Sequence, residues 1–65
     1  MKYWNKQKAH RAWTKVSIKT VDYNKECFLW CQRNSSKGRF YRYFGANSWW
    51  FENEQDAVLF VLRWL

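Results

Sequence analysis

Apolar and polar residues alternate along residues 12–21, and this alternation predicts a β-strand with one buried side. Val16 and Ile18 fall on one side of the strand, whereas Lys15, Ser17 and Lys19 fall on the other. The apolar positions are β-branched, as is typical of strands. We therefore expect a first strand whose Val16 side lies against a core.

The apolar spacing changes after residues 22–24, which favour turns and helix caps. Cys27, Trp30 and Cys31 recur at i, i+3 and i+4 with polar residues around them. This spacing predicts a short amphipathic helix over residues 24–33. The polar residues that follow predict a loop.

A hairpin is predicted next. Residues 39–44 and 48–51 are rich in aromatic side chains, which favour strands. The short segment between them contains Gly45, and two strand-like runs joined by a few residues with a glycine are typical of a hairpin.

The chain is predicted to end in a second helix over residues 54–65. Asn53 is a favourable N-cap, and Glu54 and Asp56 place negative charge in the first turn. The helix carries an apolar stripe on one side, so we expect it to pack against the sheet.

The predicted order is strand, helix, strand, strand, helix. A right-handed crossover leaves room for the third strand between the first two. We expect an α+β protein with a three-stranded antiparallel sheet of order 1-3-2 and both helices on one face, a truncated ferredoxin-like fold. Residues 1–11 would form a basic arm and residues 12–65 a single domain. If the arm is helical, a double-stranded-RNA-binding type of arrangement is the alternative.

The two sides of the predicted sheet differ in chemistry. One side carries four aromatic rings and should meet the helices: Phe40, Phe44, Trp49 and Phe51. Arg42 falls on this side too and requires a place at the sheet edge. The other side should face solvent or a ligand, and it interleaves rings with cations, an arrangement on which unpaired bases stack.

Charge is distributed unevenly along the chain. The 65 residues include 12 Lys or Arg and 5 Asp or Glu, and the first 21 residues hold six of the bases and none of the acids. Such a basic arm on a nearly neutral body is common in proteins that contact phosphate backbones. We expect a small basic binding protein that contacts nucleic acid; the alternative is a protein-interaction module that binds or inhibits an acidic host protein. The candidate binding residues are Lys2, Lys6, Lys8, Arg11, Lys15, Lys19, Arg39, Tyr41, Tyr43 and Trp50.

The sequence offers little for catalysis or metal binding. Cys27 and Cys31 are four residues apart on one helix face and are expected to pack in the core, with a metal or disulfide role as the alternative. His10 is the only histidine, and the glycines are isolated. We expect no enzymatic activity and no cofactor.

The last helix is more apolar than a simple surface helix. Residues 57–62 form an unbroken apolar run, and Leu59, Leu62 and Leu65 lie off the main stripe. A sheet covers only part of such a helix. We therefore expect a homodimer formed through the C-terminal helix.

Residues 49–64, WWFENEQDAVLFVLRW, resemble the C-terminal signature of small uncharacterised bacteriophage proteins, in which an aromatic strand runs into an acidic helix start. The resemblance covers about a quarter of the chain. It implies a virus-encoded protein in the cytoplasm of a bacterial host, and it transfers no binding or catalytic residues. Because no apolar run is long enough for a membrane span and no signal peptide opens the chain, we expect a soluble protein from a reducing compartment.

Overall fold

A computed structural model describes residues 1–4, 12–43 and 47–65 of the chain. Four strands and two helices lie in these ranges, with a 3-10 turn at Val21–Tyr23 before the first helix. The strands are β1 (Lys2–Tyr3), β2 (Thr14–Ser17), β3 (Arg39–Tyr43) and β4 (Ser48–Phe51), and the helices are α1 (Asn24–Arg33) and α2 (Glu54–Trp64). The α+β class is confirmed. Predictions that fall on His10, Phe44 and the Gly45 turn lie outside the described residues.

The sheet has four strands in the order β1-β3-β4-β2. β3 and β2 both pair antiparallel with β4, whereas β1 pairs parallel with β3. The predicted three-stranded antiparallel sheet, and with it the truncated ferredoxin-like description, is therefore wrong: the sheet is mixed. The cause is the start of the chain, where the backbone N–H groups of Lys2 and Trp4 donate to the carbonyl oxygens of Gly38 (3.3 Å) and Phe40 (2.8 Å).

Both helices pack on one face of the sheet. Phe60 of α2 contacts Trp49 and Phe51, with ring centroids 5.0 Å apart in each pair. On the α1 side, the ring centroids of Phe28 and Phe40 are 5.2 Å apart. The predicted helix-facing side of the hairpin is thus the core side. Its central rings are fully buried, and Cys27 and Cys31 of α1 lie in the same core, as the sequence predicts.

Arg42 lies on the helix-facing side of β3, at a point that β1 does not reach. Its guanidinium carbon is 5.6 Å from the Trp49 ring centroid. With its amide oriented to satisfy its neighbours, Asn24 accepts a hydrogen bond from Arg42 Nη2 at 2.6 Å. Because β1 pairs only with Arg39 and Phe40, this part of β3 lies at the edge of the sheet that the described strands form.

The ends of both helices are tied to other parts of the chain. Asn53 has an extended backbone, and its carbonyl oxygen accepts from the backbone N–H of Asp56 at 3.1 Å; its side chain makes no capping bond. Asp56 is buried and accepts a hydrogen bond from Ser36 Oγ at 2.7 Å. At the C-terminal end of α1, the Met1 ammonium donates to the carbonyl oxygen of Cys31 at 2.9 Å. Neither helix of the described ranges has the length and apolar character that crossing a membrane requires.

Candidate binding surface

The side of the sheet opposite the helices is the candidate surface, and we call it the outer face. The strand register aligns its side chains in rows across the sheet. Lys15 is level with Trp50, which is level with Tyr41. The next row contains Ser17, Ser48 and Tyr43 in the same order. Residues that the sequence places far apart are therefore neighbours on one surface.

The accessible part of the outer face centres on Lys15, Trp50 and Tyr43. The Lys15 ammonium lies 5.5 Å from the centroid of the Trp50 ring, within the range of a cation–π contact. Lys15 is exposed and Trp50 is half-buried. Tyr43, one row further along the sheet, is 52% exposed. A ligand that reaches this area meets one cation and two aromatic rings.

Tyr41 has the predicted side but not the predicted exposure. Alternation places it on the outer face, yet only 6% of its surface is accessible. Its ring stacks at 6.1 Å from that of Tyr3, which belongs to the adjacent strand β1. The expectation of an exposed Tyr41 is wrong, because the sequence pattern did not reveal β1.

Arg39 is held by its neighbours. Its Nη2 lies 2.6 Å from Glu52 Oε2, and its Nε donates to Glu52 Oε1 at 3.1 Å. The guanidinium carbon lies 4.4 Å from the ring centroid of Trp4 and 5.4 Å from that of Trp13. Hydrogen bonding to Arg39 lowers the pKa of Glu52, and the same contact raises the pKa of Arg39. The positive charge of Arg39 is therefore largely balanced within the surface.

The remaining sequence-predicted cations divide into two groups. Lys2 and Lys19 are exposed. Lys6, Lys8 and Arg11 lie outside the described residues.

The predicted binding residues do not include three contributors to this face, namely Trp4, Trp13 and Glu52. Trp13 continues the alternation of Lys15 and Ser17, so the period-two pattern could have identified it. Trp4 depends on the pairing of β1, for which the sequence carries no periodic signal.

The acids are concentrated in one layer of the fold, where Lys25, Arg33 and Arg63 accompany them. Four of the five acids lie on the helices or in the turn before them: Asp22, Glu26, Glu54 and Asp56. On the outer face, Glu52 is the only acid among the described residues, and Arg39 pairs with it. The lysines of this face keep their charge unpaired by any described carboxylate. The sheet side of the molecule is thus the more positive one.

The described residues contain no metal cluster, and their two thiols are buried. Across residues 1–4, 12–43 and 47–65, no group of three His, Cys, Asp or Glu side chains could hold a metal ion. Burial raises the pKa of the Cys27 thiol to about 11 and raises that of Cys31 as well. Both are free and fully buried, so they are protonated at neutral pH and inaccessible.

Comparison with known proteins finds no family model, no curated protein and no solved structure that matches the chain. The similarity of residues 49–64 to small phage proteins therefore remains a prediction. The candidate surface rests on its own geometry and charge.

Proposed function

We propose that the protein binds single-stranded nucleic acid through the accessible part of the outer face, together with the basic residues of the arm. The observation that supports this most strongly is the position of the Lys15 ammonium beside the Trp50 ring, one row from the exposed Tyr43. This is the combination of cation and aromatic ring on which unpaired bases stack while their phosphates are neutralised.

The separation of charge supports the same function. A polyanion approaching the sheet side meets lysines and no unpaired described carboxylate, whereas the helices carry both acids and bases. Such an asymmetric field orients an approaching strand before contact is made. The contacts expected after docking are phosphates on Lys15 and Lys19 and bases on the rings of Tyr43 and Trp50.

The proposal is tested by titrating labelled single-stranded DNA and RNA of mixed sequence at several salt concentrations, starting at about 50 mM. Binding should weaken steeply with salt, with a log–log slope of roughly −0.7 for each phosphate neutralised. Lys15→Gln should make that slope shallower by about 0.7. Lys25→Gln is the matched control, because Lys25 is exposed on α1, on the opposite side of the fold, and loses the same charge.

A second pair of variants tests stacking. Tyr43→Ala should weaken binding by roughly 5- to 150-fold, the equivalent of one base stack of about 1–3 kcal/mol. Tyr43→Phe keeps the ring and should bind nearly as the unmodified chain does. Equal losses of affinity for Tyr43→Ala and Tyr43→Phe would exclude base stacking on this residue. Equal losses of affinity for Lys15→Gln and Lys25→Gln would exclude the outer face as the binding surface.

An acidic protein as the natural partner is the competing outcome. Polyglutamate carries charge without bases, so it separates the two. One outcome is that polyglutamate competes as strongly as single-stranded DNA of equal charge, with Tyr43→Ala leaving the ratio of the two inhibition constants unchanged. In that case the surface recognises negative charge alone and the nucleic-acid proposal fails. If the similarity to phage proteins is genuine, the strand would be bound in the cytoplasm of a bacterial host.

A further inference from the structure

The flank of α2 beside β2 is apolar and exposed. Val58, Leu62 and Leu65 follow one another at spacings of four and three residues, so they form a stripe along one side of the helix. Their exposed fractions are 52%, 76% and 90%. A groove of about 310 Å³ runs between this stripe and the strand, and it is lined by Val16, Ala57 and Val61 among others.

The strand beneath the stripe is an edge of the sheet. Among the described strands, β2 pairs with β4 alone. The Glu52 N–H donates to the carbonyl oxygen of Arg39, so these two residues are a hydrogen-bonded pair of the antiparallel β3–β4 ladder. Hydrogen-bonded and non-hydrogen-bonded pairs alternate along such a ladder, so every second residue of β4 directs its backbone N–H and C=O groups towards β2. It follows that Lys15 and Ser17 direct their backbone N–H and C=O groups away from the sheet. An exposed edge beside an apolar stripe is suited to a partner that supplies both a strand and a helix.

A second copy of the chain fits this requirement. In a joined sheet with both cores on the same side, paired residues of the two antiparallel β2 strands must have side chains on the same face. Odd-numbered residues therefore pair with odd-numbered ones, and even-numbered with even-numbered ones. Centring the pair on Lys15 places lysine opposite lysine, and centring it on Ser17 places Lys15 opposite Lys19. Centring it on Val16 places Lys15 opposite Ser17 and Thr14 opposite Ile18. Like charges directly opposite are destabilising, so the Val16 register is the favoured one.

We propose that two copies of the protein associate through their β2 edges in the Val16-centred register, with the Val58–Leu62–Leu65 stripes of the two α2 helices packed against each other. The two-fold axis is perpendicular to the sheet, so both helical layers lie on one side and both outer faces on the other. The joined sheet has eight strands and presents one continuous surface of twice the width. The apolar stripe and the open edge are covered by the same contact.

Sedimentation equilibrium over a wide range of protein concentration tests the association. The intact chain should approach twice its 8.2 kDa mass. Leu62→Glu should raise the dimer dissociation constant by at least about a hundredfold, because each dimer contains the substitution twice. Leu59→Glu is the matched control: Leu59 is also exposed on α2, but it lies roughly a quarter of a turn from the stripe and does not line the groove. It should leave the dimer intact.

Ser17→Pro tests the strand contact separately, because it removes an N–H that faces away from β4 and leaves the β2–β4 ladder in place. The variant should be folded by circular dichroism and monomeric by sedimentation equilibrium. A chain that stays monomeric at high concentration overturns the proposal, as does a Leu59→Glu variant that dissociates as readily as Leu62→Glu. A Ser17→Pro variant that folds and remains dimeric overturns the joined sheet.

Discussion

Arg39 and Glu52 face each other across the β3–β4 ladder and are joined by two side-chain hydrogen bonds, one of 2.6 Å and one of 3.1 Å. The backbone N–H of Arg39 also donates to Glu52 Oε1 at 3.0 Å. The indole rings of Trp4 and Trp13 lie against the same guanidinium. This cluster connects the start of the chain, the residue before β2 and the hairpin, so we expect it to stabilise the fold.

We expect Glu52→Gln to lower the free energy of unfolding at neutral pH. The hydrogen bonds from Arg39 hold the pKa of Glu52 below its ordinary value of 4.5, so the folded state favours the charged carboxylate. The stabilising contribution is complete above about pH 4.5 and is lost as the pH falls through the lowered pKa. The difference between the variant and the unmodified chain, measured by urea unfolding, should therefore shrink below that pH.

Arg39→Met provides the control background for this prediction. Without its partner, the pKa of Glu52 is no longer lowered by Arg39, and the pH-dependent part of the Glu52→Gln effect should disappear. A Glu52→Gln penalty that has the same pH dependence in both backgrounds would show that Arg39 is not its cause.

The helices were predictable because each repeats a local signal. Cys27, Trp30 and Cys31 recur at helical spacing, and α1 has the predicted bounds. At α2, the acidic first turn after Asn53 marks the start, and the helix ends one residue before the predicted end. Local patterns of this kind require only near neighbours in sequence.

Apart from Trp13, which continues a local alternation, the features that sequence analysis missed depend on pairing between distant residues. β1 is two residues long and therefore has no period, and it exists because its backbone pairs with β3. The burial of Tyr41 depends on the presence of β1. The partner of Arg39 depends on the register of the hairpin, which places Glu52 opposite it. The side of the sheet that forms the candidate site and its positive charge could therefore be predicted from the sequence. Which of its side chains are accessible could not.

Gly38 lies where the loop after α1 approaches the start of α2, and we expect Gly38→Ala to destabilise the fold by about 1–3 kcal/mol. A Cβ at this position would lie 2.7 Å from Asp56 Oδ2 and 2.8 Å from Asn53 Nδ2. Asn53 is exposed and can move, but Asp56 is buried and accepts a hydrogen bond from Ser36. Thermal and denaturant unfolding measure the loss.

A double-mutant cycle with Ser36→Ala identifies the origin of the Gly38 effect. If the added methyl acts by displacing Asp56 from Ser36, the two penalties should be less than additive. Additive penalties, or a Gly38→Ala variant as stable as the unmodified chain, would contradict this explanation.

Cys27 and Cys31 should resist thiol reagents in the folded protein. Both side chains are fully buried, and burial raises the pKa of Cys27 to about 11, so a reagent that requires an exposed thiolate meets neither condition. Because these thiols are protonated in the folded state, their contribution to stability is present below the ordinary pKa of 9.0 and is lost as the pH rises through the raised values. Labelling with a chromogenic disulfide at increasing urea concentration should follow the unfolding transition seen by circular dichroism. Rapid labelling of either thiol without denaturant would show that the core around α1 opens locally.

The Met1 ammonium should stabilise the end of α1, so modification of the amino terminus should be more harmful than modification of the carboxyl terminus. The ammonium donates to the carbonyl oxygens of Cys31 and Asn34, at the negative end of the helix dipole, and the Met1 side chain is buried in the core.

Acetylation removes the charge and all but one donor, and a Gly-Ser extension also requires space beside a buried residue. A loss of about 1–2 kcal/mol, or roughly 4–16 °C in Tm for a domain of this size, is expected for either change. The same Gly-Ser pair placed after Leu65, which is 90% exposed, should leave Tm unchanged. Equal melting temperatures for the amino- and carboxyl-terminal extensions would show that the contact between Met1 and α1 contributes nothing to stability.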